Sequence, residues 1–128
     1  MQGLHLTADL HDCCCAPDLL VQATELATLC RRHTEAAGLT VVNEIWHGFP
    51  GMNEQAGGVT GVLLLAESHL AIHTWPEQRA VTLDVYVCNF GADNSARAHA
   101  LMGALMPAFM ATRIEQHALR RGAPPTVA

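Results

Sequence analysis

Aromatic residues are scarce in this chain, at 5% of 128 positions, and charged residues reach only 15%. Trp46, Phe49, Trp75, Tyr86 and Phe90 are therefore each worth locating. There is no basic excess: the formal charge is −5 and the pI about 5.8. That balance argues against nucleic acid or an anionic membrane surface as the partner. No segment approaches the ~18 consecutive apolar residues of a membrane span. The N-terminus has no basic stretch leading into an apolar run, so no secretory signal is expected and the expected location is cytoplasmic.

Cysteine is present in an odd number: Cys13, Cys14 and Cys15 in a row, then Cys30 and Cys88. In a reducing compartment these are thiols and not a disulfide framework. The triple cysteine with His5 and His11 is not expected to hold a metal. Adjacent cysteines are poorly arranged around one ion, and no Cys-x-x-Cys pair exists. Half of the residues are hydrophobic, enough for a globular chain with a core. The length fits one domain over residues 1–128.

Leu4, Leu6, Ala8 and Leu10 alternate with His5, Thr7 and Asp9, the period of a half-buried strand over 4–10. Pro17 and Gly38 bracket an expected helix whose apolar stripe includes Leu19, Ala23, Leu26 and Cys30, which makes Cys30 a core residue. A strand is expected at 39–46, then a loop from Gly48 to Gly58 rich in turn residues. Loops of that length in small domains are usually functional or mobile. Val59 to Ala66 reads as a central strand, and 70–75 with 81–88 as a hairpin joined through Pro76 to Ala80. Asp93, Asn94 or Ser95 can cap a helix with apolar positions Ala98, Leu101, Met102, Leu105 and Met106, which Pro107 ends or kinks. Residues 111–119 read as a last strand, and the tail from Gly122 as frayed. The order predicts an α+β fold, a two-layer sandwich with a largely antiparallel sheet.

Within the hairpin, Leu70 and Ile72 share a face with Val81, Leu83, Val85 and Val87. Matching these apolar faces puts His73 on the same side as Cys88. Folding about Gln78 brings residue 68 or 69 opposite residue 88, so that Ser68 and Cys88 become neighbours. A hydroxyl, an imidazole and a thiol that can converge are the parts of a nucleophile, a base and an acid.

The run Glu67-Ser68-His69, then Ile72-His73-Thr74-Trp75-Pro76-Glu77, with Cys88 behind it, resembles the small prokaryotic S-adenosylmethionine decarboxylase proenzymes. The likeness extends through Trp46-His47-Gly48-Phe49-Pro50, Gly58-Val59-Thr60-Gly61 and His5-Leu6, covering roughly residues 3–91. It implies that Ser68 attacks the carbonyl of Glu67 and that His73 removes the Ser68 α-proton. The chain would then part into residues 1–67 and 68–128, the latter capped by a pyruvoyl group. That ketone would take the substrate amine as a Schiff base, and Cys88 would return a proton to the α-carbon. A thiol with an ordinary pKa near ~8.5 suits such a donor at neutral pH. The resemblance further implies Phe49 as a platform for adenine, Trp75 and Glu77 around the substrate, and a homodimer of processed protomers. The product would be the aminopropyl donor for spermidine synthesis. Thr60 stands where such proteins often carry a serine, keeping the hydroxyl and adding a methyl. Relatives of the same build act on arginine or ornithine, and an unprocessed regulatory paralogue is the remaining alternative.

Overall fold

In the computed structural model, residues 2–122 are described. The expected frayed tail, apart from Gly122 itself, lies outside them. Six strands form one sheet in the order β2-β3-β4-β5-β1-β6, antiparallel at every junction. β1 spans Gly3–Cys13, β2 Val41–Gly48, β3 Val59–Leu65, β4 Ser68–Trp75, β5 Ala80–Cys88 and β6 Ala111–Arg121. The alternation that predicts the strands also sorts their faces. Leu6, Ala8 and Leu10 of β1, Leu70 and Ile72 of β4, and Val81, Leu83, Val85 and Val87 of β5 are all buried. They face the helices, where Leu26, Leu101, Leu105 and Phe109 complete the core. Phe109, fully buried, is an aromatic anchor that the sequence reasoning did not single out.

The helix expected between Pro17 and Gly38 is broken in two: α1 (Asp18–Val21) and α2 (Ala23–Ala36), separated by Gln22 with extended backbone (φ −100°, ψ 104°). The break frees the carbonyl of Leu20, which accepts the buried Thr74 hydroxyl at 2.7 Å. In a continuous helix that carbonyl would be spent on the N–H four residues on. The same Thr74 oxygen accepts the Val59 N–H at 2.8 Å. One side chain thus ties β4 to β3 and to α1. Cys30 is core as expected, and burial pushes its thiol up to about 12. Gly38 follows α2 with φ +87°, a conformation costly for any side chain.

α3 (Ser95–Leu105) stops two residues before Pro107, and Met106–Phe109 continues as a 3-10 turn into β6. Asp93 accepts the Ser95 N–H at 2.9 Å and so opens this helix. All three helices pack on one face of the sheet. No helix among the described residues covers the other face. Ile45, Leu64, Trp75 and Leu119 stand exposed there, by 64%, 42%, 43% and 52%.

Candidate active site

Ser68 is not a loop serine but the first residue of β4, paired with Leu65 across a two-residue turn of Ala66 and Glu67. Glu67 has φ +55°, the left-handed region that disfavours a non-glycine residue by about 1–2 kcal/mol. The peptide bond between Glu67 and Ser68 therefore sits at the most constrained point of the hairpin.

The register between β4 and β5 pairs His69 with Tyr86 and Trp75 with Ala80. This is one residue off the expected alignment, because the chain reverses between Glu77 and Gln78. A short 3-10 turn at Pro76–Gln78, closed by left-handed Arg79 (φ +48°), sets that centre. Ser68 then lies diagonal to Cys88, and the two still meet: the Cys88 N–H donates to Ser68 Oγ at 3.1 Å. Ser68 is 9% exposed and Cys88 8%. Glu67, Tyr86, Cys88 and Phe90 line a cavity of about 310 Å³ at this end of the sheet.

His73 and Thr60 stand at the other end. They are directly paired across β3 and β4, with Thr60 Oγ1 2.9 Å from His73 Nδ1. His73 shares the bare face with Cys88, as the alternation predicted, since it pairs with Thr82. It does not converge with Ser68. Five residues of extended chain separate the two by ~16 Å. Their side chains also leave the strand on opposite faces. Within one chain the Ser68 hydroxyl reaches the backbone N–H of Cys88, while the imidazole is held apart.

The loop from Phe49 to Gly58 folds over the His73 end and encloses a cavity of about 470 Å³, lined by Phe49, Met52, Thr60, His73, Trp75 and Glu77. Every candidate substrate contact of the sequence reading thus gathers on the His73 side. Phe49 meets His47 edge-on at 4.6 Å and is half exposed. Its N–H donates to the carbonyl of Gly58 at 2.9 Å, closing the loop base. A Cβ on Gly58 would come within 2.1 Å of the Thr74 carbonyl oxygen, so only glycine fits that closure.

A cluster absent from the sequence reasoning lies beside Ser68. His5 Nε2 and His69 Nε2 each approach Asp84 Oδ2 at 2.9 Å. Two imidazoles and a carboxylate this close have metal-ligand chemistry. Arg121 argues against that use. Its guanidinium, which can only donate, lies 3.0 Å from His5 Nδ1 and so leaves the His5 proton on Nε2. The cluster is a hydrogen-bonded frame, and it clamps Tyr86, which stacks on His69 at 5.8 Å and meets His5 edge-on at 5.8 Å. Alternation along β5 puts Asp84 and Tyr86 on this face, but nothing local marks them as partners of two histidines. The triple cysteine takes no part: Cys13 ends β1, and all five cysteines are free.

A family model described as S-adenosylmethionine decarboxylase matches residues 4–122. The chain belongs to that family. A proenzyme of this name from Hydrogenobaculum sp. (strain Y04AAS1) is 32% identical over 120 residues, 94% of this chain and 81% of the relative. Another from Prochlorococcus marinus (strain MIT 9313) is 42% identical over 90 residues, 69% of this chain and 65% of the relative. The crystal structure of the adenosylmethionine decarboxylase from Aquifex aeolicus superimposes with a TM-score of 0.81 at 29% identity, covering 98% of this chain and 95% of that one. The match reaches beyond residue 91, where the motif-based likeness ended, through α3 and β6.

Proposed function

We propose that this S-adenosylmethionine decarboxylase is made as a proenzyme. In this reading it severs its own Glu67–Ser68 bond to give chains 1–67 and 68–128, then decarboxylates S-adenosylmethionine at a pyruvoyl group made from Ser68. The observation that carries the reading is the setting of Ser68. It directly follows left-handed Glu67, is nearly buried, and has its Oγ oriented by the Cys88 N–H. That N–H occupies an oxygen lone pair and leaves the hydroxyl proton free to depart.

The residues fit a self-made ketone better than an imported carbonyl cofactor. All seven basic side chains are arginine, so this chain has no lysine to anchor pyridoxal phosphate. The pyruvoyl group supplies an electron sink, a ketone conjugated to an amide carbonyl. Around it, Ser68 adds its Oγ to the Glu67 carbonyl carbon, and the Glu67–Ser68 C–N bond breaks to leave an ester. His73 removes the Ser68 α-proton as Glu67 departs with Oγ as a carboxylate; water then replaces the nitrogen on Cα, releasing ammonia. In turnover Cys88 Sγ gives its proton to the substrate α-carbon. The Thr60 hydroxyl on Nδ1 fixes the His73 ring and leaves Nε2 without a side-chain partner among the described residues.

The ~16 Å between Ser68 and His73 means one chain cannot supply both. The second copy supplies the missing half. Two sheets meeting bare face to bare face about a two-fold axis would bring the Ser68 and Cys88 end of one onto the His73 and Thr60 end of the other. The exposed Ile45, Leu64, Trp75 and Leu119 support such a homodimer, since pairing would remove their apolar surface from water. The loop cavity of the partner, with Phe49, Trp75 and Glu77, then receives the adenosyl part, Phe49 stacking on adenine. Five free thiols fit a reducing cytoplasm.

Intact-mass measurement of purified protein tests the reading. Two fragments parted between Glu67 and Ser68, the second blocked by pyruvate, are expected, with carbon dioxide released from labelled S-adenosylmethionine. A single full-length chain overturns the proenzyme reading, and release from arginine or ornithine alone overturns the substrate.

A further inference from the structure

Cys88 is held in an unusual way for a strand residue. The Asn89 N–H donates to the Gln2 carbonyl at 2.7 Å, so Cys88 and Gly3 form a non-hydrogen-bonded pair. The N–H and C=O of Cys88 therefore both point away from β1, toward β4. But β4 begins at Ser68 and has no backbone left to offer there. Side chains take its place. Ser68 Oγ accepts the Cys88 N–H at 3.1 Å, and Asn94 Nδ2 donates to the Cys88 carbonyl at 2.9 Å.

Asn94 is itself fixed by two further bonds, and Asn89, which holds it, is fixed in turn. Its N–H donates to Asn89 Oδ1 at 2.8 Å, its Oδ1 accepts Arg97 Nη1 at 2.7 Å, and Asn89 Nδ2 reaches Ser95 Oγ at 3.0 Å. It immediately precedes α3, yet its side chain makes no cap bond to that helix. Asp93 makes that bond instead. The asparagine amide is thus directed away from helix capping, which asparagine does well, and onto the peptide that follows Cys88.

We propose that Asn94 is the positioning residue for the Cys88 thiol, and that among the described residues its hold is the one side-chain tie left on Cys88 once the chain has cut itself. The inference rests on the proposed self-cleavage. When Glu67 leaves, Ser68 Oγ leaves with it as a carboxylate oxygen, so the Cys88 N–H loses its acceptor. The carbonyl bond from Asn94 does not depend on that oxygen and survives the change. It holds the peptide plane that follows Cys88, and so keeps in place the backbone from which Cβ and Sγ project in the mature enzyme.

Asn94→Asp and Asn94→Ala separate this role from a helix-end role. Aspartate keeps the shape, pairs with Arg97 and favours the helix start, but cannot donate to a carbonyl. Both variants are expected to cut themselves, because Ser68 still ties Cys88 in the proenzyme. Both should then lose about tenfold in kcat with KM within about twofold, the scale of one hydrogen bond. Iodoacetamide should alkylate Cys88 of the cut variants several-fold faster than in the cut wild type, followed by peptide mass. The Asn94→Asp Tm should equal or exceed that of wild type. Activity that follows Tm, normal in Asn94→Asp and reduced only in Asn94→Ala, overturns the proposal. So does unchanged Cys88 alkylation in both. A wild-type chain that never cuts would instead refute the underlying self-cleavage, a separate and visible failure.

Discussion

If Ser68 and His73 act from different copies, two inactive variants should restore each other. Ser68→Ala removes the nucleophile and the scissile ester site but keeps His73. His73→Ala keeps Ser68 and Cys88 but removes the base. Co-expressed in equal amounts, the two chains assort into homodimers and heterodimers in a 1:2:1 ratio, so about half of the dimers are mixed. Each mixed dimer holds one complete site, with Ser68 and Cys88 from the His73→Ala chain and the imidazole from the Ser68→Ala chain. The other site of that dimer lacks both groups. Roughly one quarter of all chains should then be cut, with roughly one quarter of the wild-type decarboxylation per chain. Intact mass identifies which chain was cut, since only the His73→Ala chain carries Ser68. The ~16 Å along β4 leaves no route to this outcome within one chain. A mixture with no cut chain would refute the shared site, as would His73→Ala alone cutting at the wild-type rate.

Thr60→Val removes the hydroxyl at His73 Nδ1 while keeping the strand shape. It should slow self-cleavage about tenfold, with Thr60→Ser near wild type, read from the cut fraction over time. Thr74→Val strands the Val59 N–H and the Leu20 carbonyl in the core. The expected loss is about 2–4 kcal/mol, a Tm lower by roughly 5–12 °C by calorimetry. Burial is the main cause that raises the thiols of Cys13 and Cys30, to about 11 and about 12. At pH 8 their thiolate fractions are on the order of one in a thousand and one in ten thousand, so exposed Cys14 should alkylate while these two do not, by peptide mass. Both keep a proton in the folded state that an unfolded cysteine gives up near pH ~8.5, so stability should fall as pH rises above that value, by urea titration.

Most of the fold was legible because one period governs it. Alternation placed β1 and both arms of the hairpin on their correct faces, including His73 with Cys88, an apolar run marked β3, and the capping residues before α3 marked its start. The break at Gln22 was not legible, because its cause is a bond from Thr74, more than fifty positions away. The one-residue slip of the hairpin was equally hidden, since it depends on Arg79 taking a left-handed conformation that its side chain does not advertise. Asn94 could be named as a cap candidate, yet its actual target, the Cys88 carbonyl, exists only because β4 stops at Ser68.

Ser68 and His73 lie five positions apart, and in a helix that spacing would set them little more than a turn apart. In a strand the same spacing pushes them to opposite ends and opposite faces. A strand cannot bend back on itself, so a motif written along one strand is two half-sites and not one site. The antiparallel sheet supplies each half with its own neighbour: Cys88 across from the β4 start, and Thr60 across from His73. The proposed two-fold operation on the bare face would join the halves, because it reverses strand direction and lays one end over the other. In the proposed dimer, assembly is the step that completes the enzyme, and the timing of the proposed self-cleavage would follow the meeting of two chains.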